Sequence, residues 1–439
     1  MPAILDPAPQ LDRIALTGED ASTGPISKMS ARALGTPALL VLEEIIRLHG
    51  YHGRMFGVTG NGTTDDTRAL QNACTTVKAL GGVADGTGKS WSFPALKLSG
   101  NIKVTAPILP THAMEGVGLA RLFTPDRTIA ILDGRPASDP GKFGFTRLRL
   151  RDLNFQGGLH GVCVGNPNID EGLFDILGCS FADTADYAVD AVQAYSTSLH
   201  LERPRFVRCN GDVRTETDIT TIIGGWSQPL ADNFTADRAV YCMNHTVNGQ
   251  SRYFQRLTLI GWAGIPVLGQ KADGSSGWIA DTRWVDVRGS FAALGCRFGG
   301  EEGGLPICHH FTVANSDASG NADFGYARGG SIAIRDCWTY VGLAARPDAA
   351  AIVLRGEAPT SIVWEGNTGP LTSPIVLNPG GGRGIADPAA YFAAWRAATG
   401  KPDEKPFFDW RISDSNARAV AMVPDAFKPL VRGPVRLFP

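Results

Sequence analysis

Hydrophobic positions along this chain change their period near residue 83. Before that point Leu70, Ala73, Cys74, Val77 and Leu80 form a stripe at helical spacing. The stripe predicts a capping helix over about 64–80, closed by Gly81-Gly82. Thr64 or Asp65 stands where a side-chain oxygen accepts the orphan N–H groups of a first turn. An earlier helix opens at Thr36-Pro37 and runs to Leu48. It is apolar around much of its girth, so it needs a covering surface, either the end of a β-stack or neighbouring subunits.

Beyond residue 83 the pattern becomes one of recurrent short strands. Segments 148–155, 173–181, 254–262, 284–291, 332–338 and 362–367 mostly alternate, turn on a small or polar residue, and end near an aromatic or Gly. Phe155 to Phe181 spans 26 positions and Trp262 to Trp284 spans 22. A period of about 20–30 residues without helices predicts a solenoid. A sandwich would show hairpin dipeptides every 8–12 residues, roughly, and these are sparse. Residues 211–253 fit the period poorly and read as a long loop or excursion on one face. Pro379-Gly380-Gly381-Gly382-Arg383-Gly384 reads as the end of the stack. Asp387-Pro388 then opens a helix carrying Tyr391, Phe392 and Trp395, closed by Gly400. The expected organisation is an N-terminal arm and apolar helix (1–50), a β-stack (51–384) and a C-terminal helix with a cap or interface arm (385–439).

The run Phe56-Gly57-Val58-Thr59-Gly60-Asn61-Gly62-Thr63-Thr64-Asp65-Asp66-Thr67 resembles the opening motif of the pectate-lyase-like right-handed parallel β-helix superfamily. In that superfamily an aromatic-Gly-Ala-x-Gly-Asp-Gly run precedes Thr-Asp-Asp-Thr, a small-residue helix and Gly-Gly. Thr63 to Thr67 and Gly81-Gly82 match it; Asn61 stands where Asp is commoner, and Val58-Thr59 replaces the Ala-x pair. The motif covers about 30 residues, and a weaker resemblance continues to about residue 380. It implies an all-β fold: a right-handed parallel β-helix with N-terminal capping helices and a C-terminal cap segment. The superfamily includes polysaccharide lyases, glycoside hydrolases and phage tailspikes. Resemblance to tailspikes, whose β-helix follows an apolar helical neck, implies a homotrimer. Asp65-Asp66 looks like a catalytic pair, but its position at a helix N-terminus makes it a cap.

Composition narrows the partners. Of 439 residues, 53 are Gly and 28 Pro, which is a turn-rich β composition. A net charge of −2 without a basic block argues against nucleic acid and against a charged membrane surface. No apolar run reaches the roughly 18 residues of a membrane span. The first residues lack a signal-peptide pattern, so a phage or prophage virion tail, the cytoplasm, or secretion by another route is expected. The eight cysteines show no Cys-x-x-Cys and read mostly as reduced, buried residues at coil positions. Gly86-Thr87-Gly88-Lys89-Ser90 imitates a phosphate loop, but Val83 occupies the position of its first Gly.

A parallel β-stack sets equivalent positions of successive coils about 4.8 Å apart. Segment 278–315 is the densest concentration of reactive side chains. Asp281 precedes Glu301 and Glu302 by 20 and 21 positions, and Asp286 precedes His310 by 24. Two carboxylates about 5–5.5 Å apart suit a retaining glycosidase, and about 6.5–9.5 Å an inverting one. Glu301-Glu302 is framed by Gly299-Gly300 and Gly303-Gly304, which let a bulky ligand approach; the competing reading is a solvated loop. His309-His310 are adjacent on a strand and face opposite sides, which disfavours one shared ion. Trp262 and Trp284 offer stacking faces for sugars, with core packing as the competing reading. Asp183, Asp186 and Asp190, and separately Asp232 and Asp237, read as solvated acidic faces. No Asp-x-Asp-x-Asp-Gly loop supports Ca2+, and no cofactor is required.

The leading expectation is cleavage of a bacterial surface or extracellular polysaccharide by carboxylate acid/base hydrolysis. Asp286, Glu301 and Glu302 would act as acid, base or nucleophile, with Asp281 in reserve. Arg283, Arg297, His309 and His310 would orient or polarise the glycan, and Trp262 and Trp284 would stack on it. A lyase acting on a uronate-containing glycan is the alternative, and a non-catalytic glycan-binding tail fibre is the third class.

Overall fold

The computed structural model describes residues 50–79, 83–84, 91–92, 94–135, 147–165, 172–192, 197–228, 238–242, 245–247, 250–252, 256–264, 267–270, 276–279, 284–287, 290–294, 297–299, 304–305, 310–314, 317–319, 323–324, 331–336, 338–340, 352–354, 361–365, 375–377, 408–412, 421–422 and 431–432. The expected helices at 36–48 and 388–400 lie outside these residues. The chain divides into two compact units, one ending at Cys209 and the other beginning at Asn210.

In the first unit the expected capping helix is Thr67–Ala79, whose Leu70, Ala73, Cys74 and Val77 are buried. Its start uses the two acids differently. The Leu70 N–H donates to the Asp66 carbonyl (2.8 Å), closing the first helical turn. Asp65 caps that turn by accepting from the Thr67 N–H (3.0 Å), and it also accepts from the Thr105 hydroxyl (2.7 Å). The Asp66 carboxylate turns the other way. It accepts from the Thr59 N–H and hydroxyl and from the Gly60 N–H, stapling the preceding turn. Both are therefore structural groups, as their place in the sequence predicts.

Coils follow, each with three strands. Arg147–Arg151, Gly172–Leu177 and Thr197–Glu202 form one parallel ladder. Asn154–Gly157, Ser180–Ala182 and Arg205–Val207 form the next face of the same coils, also parallel. Ala130–Asp133, His160–Cys163 and Tyr187–Ala191 form the third. Each strand pairs with its counterpart one coil later, which is the stepped order of a parallel β-helix.

Corners between faces lie in the left-handed region. Asp152, Gly178 and Arg203 (φ 51, 65 and 51) turn the first corner; Gly157, Asp183 and Arg208 (φ 77, 59 and 52) turn the second. An Arg there is strained by about 1 kcal/mol or more. The ladder offsets this, because corner amides keep donating to the next coil: Asp152 to Leu177, Gly178 to Glu202, and Asp183 to Val207. Inside, Phe155, Phe181 and Phe206 are in register and almost fully buried. Their rings stack with centroids 5.1 and 5.4 Å apart.

In the second unit the main ladder runs Ile219–Ile223, Arg256–Ile260, Ser290–Leu294, His310–Ala314, Ser331–Arg335, Ser361–Glu365, Phe408–Ile412 and Val431–Arg432, all parallel. A second parallel ladder joins Gly211–Thr215, Arg238–Cys242 and Trp284–Val287. Two sequence expectations change here. Gly211–Thr215, Ile219–Ile223, Trp226–Gln228 and Arg238–Cys242 are coil strands; among the described residues of 211–253 the departure from the coil is the antiparallel hairpin His245–Val247/Gln250–Arg252. A second hairpin, Val267–Gln270/Ser276–Ile279, also interrupts the period. Parallel pairing also continues beyond the Gly-rich 379–384 segment, through Phe408–Ile412.

Cys74, Cys163, Cys179, Cys209 and Cys242 are buried and form no disulfide. Burial pushes the Cys74 and Cys179 thiols up to about 12, leaving both inert at neutral pH. Cys296, Cys308 and Cys337 lie outside the described residues. No helix among the described residues is long and apolar enough to cross a membrane.

Candidate functional site

The residues singled out in 278–315 fall on different faces. Trp284 and Asp286 lie on Trp284–Val287, opposite Arg238 and Tyr241. Arg297 lies opposite Ala263 and Asp317 in another ladder. His310 opens His310–Ala314, opposite Ser290 and Ser331. The 24-residue interval therefore does not stack Asp286 on His310. Asp281, Arg283, Glu301, Glu302 and His309 lie outside the described residues, as do Asp232 and Asp237. Within the second unit, Trp284–Val287 packs beside Gly304–Leu305, the short strand that follows the Glu301-Glu302 segment.

Trp262 is 3 % exposed. It follows the left-handed Gly261 and takes an interior position, as Cys179 does after Gly178 in the first unit. A buried indole presents no face to a sugar, so its expected stacking role is withdrawn. The 22-residue interval from Trp262 to Trp284 is not a coil repeat either, because the two residues belong to different faces.

An open recess of about 400 Å³ lies on the first unit, lined by Arg121, Phe123, Thr124, Pro125, Arg127, Gln156, Gly157 and Asp183. It is built on the coil register. Phe123, Gln156 and Ala182 are stacked positions, and Asp183 and Arg208 follow at the corner. Arg121 Nη1 donates to Gln156 Oε1 (2.9 Å), and Gln156 Nε2 donates to Asp183 Oδ2 (3.2 Å). Arg208 grips Asp183 with two bonds, Nε to Oδ1 (2.6 Å) and Nη2 to Oδ2 (2.8 Å). The Arg121 guanidinium also sits 5.1 Å from the Phe123 ring centroid.

Arg208 holds the Asp183 carboxyl below the usual carboxylate range, outweighing the opposing effect of burial. The arginine is raised in turn by Asp183. Asp183 is thus ionised and paired at neutral pH, unsuited to donating a proton. The recess offers an aromatic ring, an amide and arginine donors in a row, which suits holding polar or anionic groups along an extended ligand.

Sequence reading missed this arrangement except for Asp183. The signal was present: Gln156 to Asp183 is 27 positions and Asp183 to Arg208 is 25, both coil intervals. The solvated-face reading of the acidic cluster also changes. Asp183 is ion-paired, and Asp190 is 2 % exposed.

No family model matches this chain, and no curated protein matches it. Among solved structures it is similar to Geobacillus virus E2 ORF18, with 14 % identity and a TM-score of 0.42. The match covers 76 % of this chain and 64 % of that one, so the chain spans less than two thirds of its length.

Proposed function

We propose that this protein cleaves a bacterial surface or extracellular polysaccharide by carboxylate acid/base hydrolysis in its second unit. The observation that carries this reading is the packing of Trp284–Val287, which bears Asp286, beside Gly304–Leu305, which Gly303 separates from Glu301-Glu302 in the sequence. Asp286, Glu301 and Glu302 supply acid, base or nucleophile, with Asp281 as the reserve carboxylate. Arg283, Arg297, His309 and His310 orient and polarise the glycan, and Trp284 stacks on it. The protein works as a homotrimer. Reducing-end release from a cleaved polysaccharide tests the assignment. Asp286→Asn, Glu301→Gln or Glu302→Gln is expected to lower turnover by about 10²-fold or more. Full activity in all three variants would remove the site. Sedimentation of the full chain as a monomer would remove the trimer.

A second reading is glycan binding without cleavage, favoured by the first-unit recess, whose one carboxylate is already neutralised by Arg208. Retention of an intact polysaccharide, reduced in Arg121→Ala, with no products would support it.

A further inference from the structure

The third ladder of the first unit stacks Asp133, Cys163 and Asp190 at one position of three consecutive coils. His160 begins the middle strand, with Nε2 3.7 Å from Asp190 Oδ2 and 4.0 Å from Asp186 Oδ2. One ligand atom each from His160, Cys163 and Asp190 lies within 4.8 Å of the other two, and all three residues are buried. Among the described residues this is the one such His/Cys/carboxylate group.

Three properties of the cluster suit a metal ion. His160 Nδ1 is 2.7 Å from the Tyr187 carbonyl oxygen. A carbonyl only accepts, so Nδ1 carries the hydrogen, and Nε2 is the ring atom left facing Asp190 and available to coordinate an ion. This is the second-shell bond that ordinarily orients a metal-binding imidazole. The donors are also of the right kind. Thiolate, imidazole and carboxylate together favour zinc and its neighbours over calcium or magnesium, which take oxygen. Cys and Asp in their binding forms carry two negative charges, which balance a dication. The dimensions agree as well. Donors at about 2.0–2.3 Å from a tetrahedral ion stand about 3.3–3.8 Å from each other. The His160–Asp190 edge, at 3.7 Å, is within a few tenths of an ångström of the roughly 3.3–3.5 Å expected of a nitrogen–oxygen edge.

Asp186, with a side chain 29 % exposed, or a water can complete four-coordination. Arg135 is the nearby competing cation. Its Nε and Nη2 are committed to Asp133 (2.9 and 2.8 Å), and its Nη1 is 4.0 Å from Asp190. A nucleophilic role for Cys163 fails on access, because the residue is 0 % exposed.

We infer that His160, Cys163 and Asp190 bind a zinc-type divalent transition-metal ion that clips two adjacent coils together. The inference is independent of any action on polysaccharide. The test uses the full chain, stripped with a chelator and titrated with Co2+ and then Zn2+. One equivalent of Co2+ should produce a thiolate-to-metal charge-transfer absorption that Zn2+ displaces, and zinc should raise the melting temperature. Cys163→Ser should abolish the absorption and weaken zinc at least tenfold. Cys179→Ser, a matched buried cysteine one face away, should keep both. His160→Gln retains every cysteine and should also lose the absorption, which decides the matter if Cys163→Ser does not fold. A wild-type chain without the cobalt–thiolate band, or a folded His160→Gln or Cys163→Ser variant with unchanged zinc affinity, would overturn the site. Either result would leave His160 and Asp190 as a buried pair of neighbours 3.7 Å apart without a metal role.

Discussion

Two columns of the first unit share one coil spacing and differ in what they stack. The inner column, Phe155, Phe181 and Phe206, places identical rings above one another where water is excluded. The outer column, Gly157, Asp183 and Arg208, places unlike groups above one another at a half-exposed corner. Stacking like groups suits an apolar interior, because each ring buries both faces and gains offset π contact. Outside, like charges about 4.8 Å apart repel, so a charged column has to alternate. Arg149 opposite Asp175 and Arg335 opposite Glu365 follow the same rule on other exposed strands. The inner column therefore carries stability, and the outer one is available for recognition.

The sharpest way to break that contrast is Phe181→Ala, which removes the middle ring. It should cost about 3–5 kcal/mol in equilibrium denaturation. A loss below about 1 kcal/mol would mean the ladder is not the core of this unit. Next in size is Gly157→Ala. Its Cβ would fall 2.1 Å from the Thr124 carbonyl oxygen, at φ 77, so about 1–3 kcal/mol should be lost. The Asp and Arg that follow in the same column tolerate the conformation, which makes the cost a matter of close approach as well as of φ. Arg208→Ala should cost about 1 kcal/mol or less in equilibrium denaturation, since its pair is partly exposed.

The smallest effect is a pH dependence. The folded Asp183 carboxyl lies below its ordinary value of 3.8, so the unfolded chain takes up its proton first as the pH falls. The stabilisation is therefore complete above that value and is lost as the pH drops through the folded one. Denaturation midpoints of wild type and Arg208→Ala should differ by a constant amount above about pH 5 and converge in acid. A gap that widens in acid would contradict the pairing.

Local signals in the sequence proved readable, and spacing alone misled. The capping helix and its acids follow from apolar periodicity and the preference of Asp for helix starts, and Thr67–Ala79 agrees closely with about 64–80. The interval from Phe155 to Phe181 is a true coil repeat, because both residues point into the same interior position. Trp262 to Trp284 has a similar interval and is none. A coil has three faces, and residue spacing does not state which face a tryptophan occupies. Hairpins such as His245–Val247/Gln250–Arg252 shift the count further by inserting residues without adding a coil. The burial of Asp190 was illegible for the same reason: one acidic cluster spans an exposed corner at Asp183 and a buried strand at Asp190.

The central claim, that the protein hydrolyses a polysaccharide, is tested most directly by mass spectrometry of products. The full chain would be incubated with a panel of purified capsular and extracellular polysaccharides. Hydrolysis predicts shorter oligosaccharides whose masses include one added water per cut, each with a new reducing end. Products lacking that water and carrying an unsaturated uronate, or an intact glycan bound without products, would contradict it.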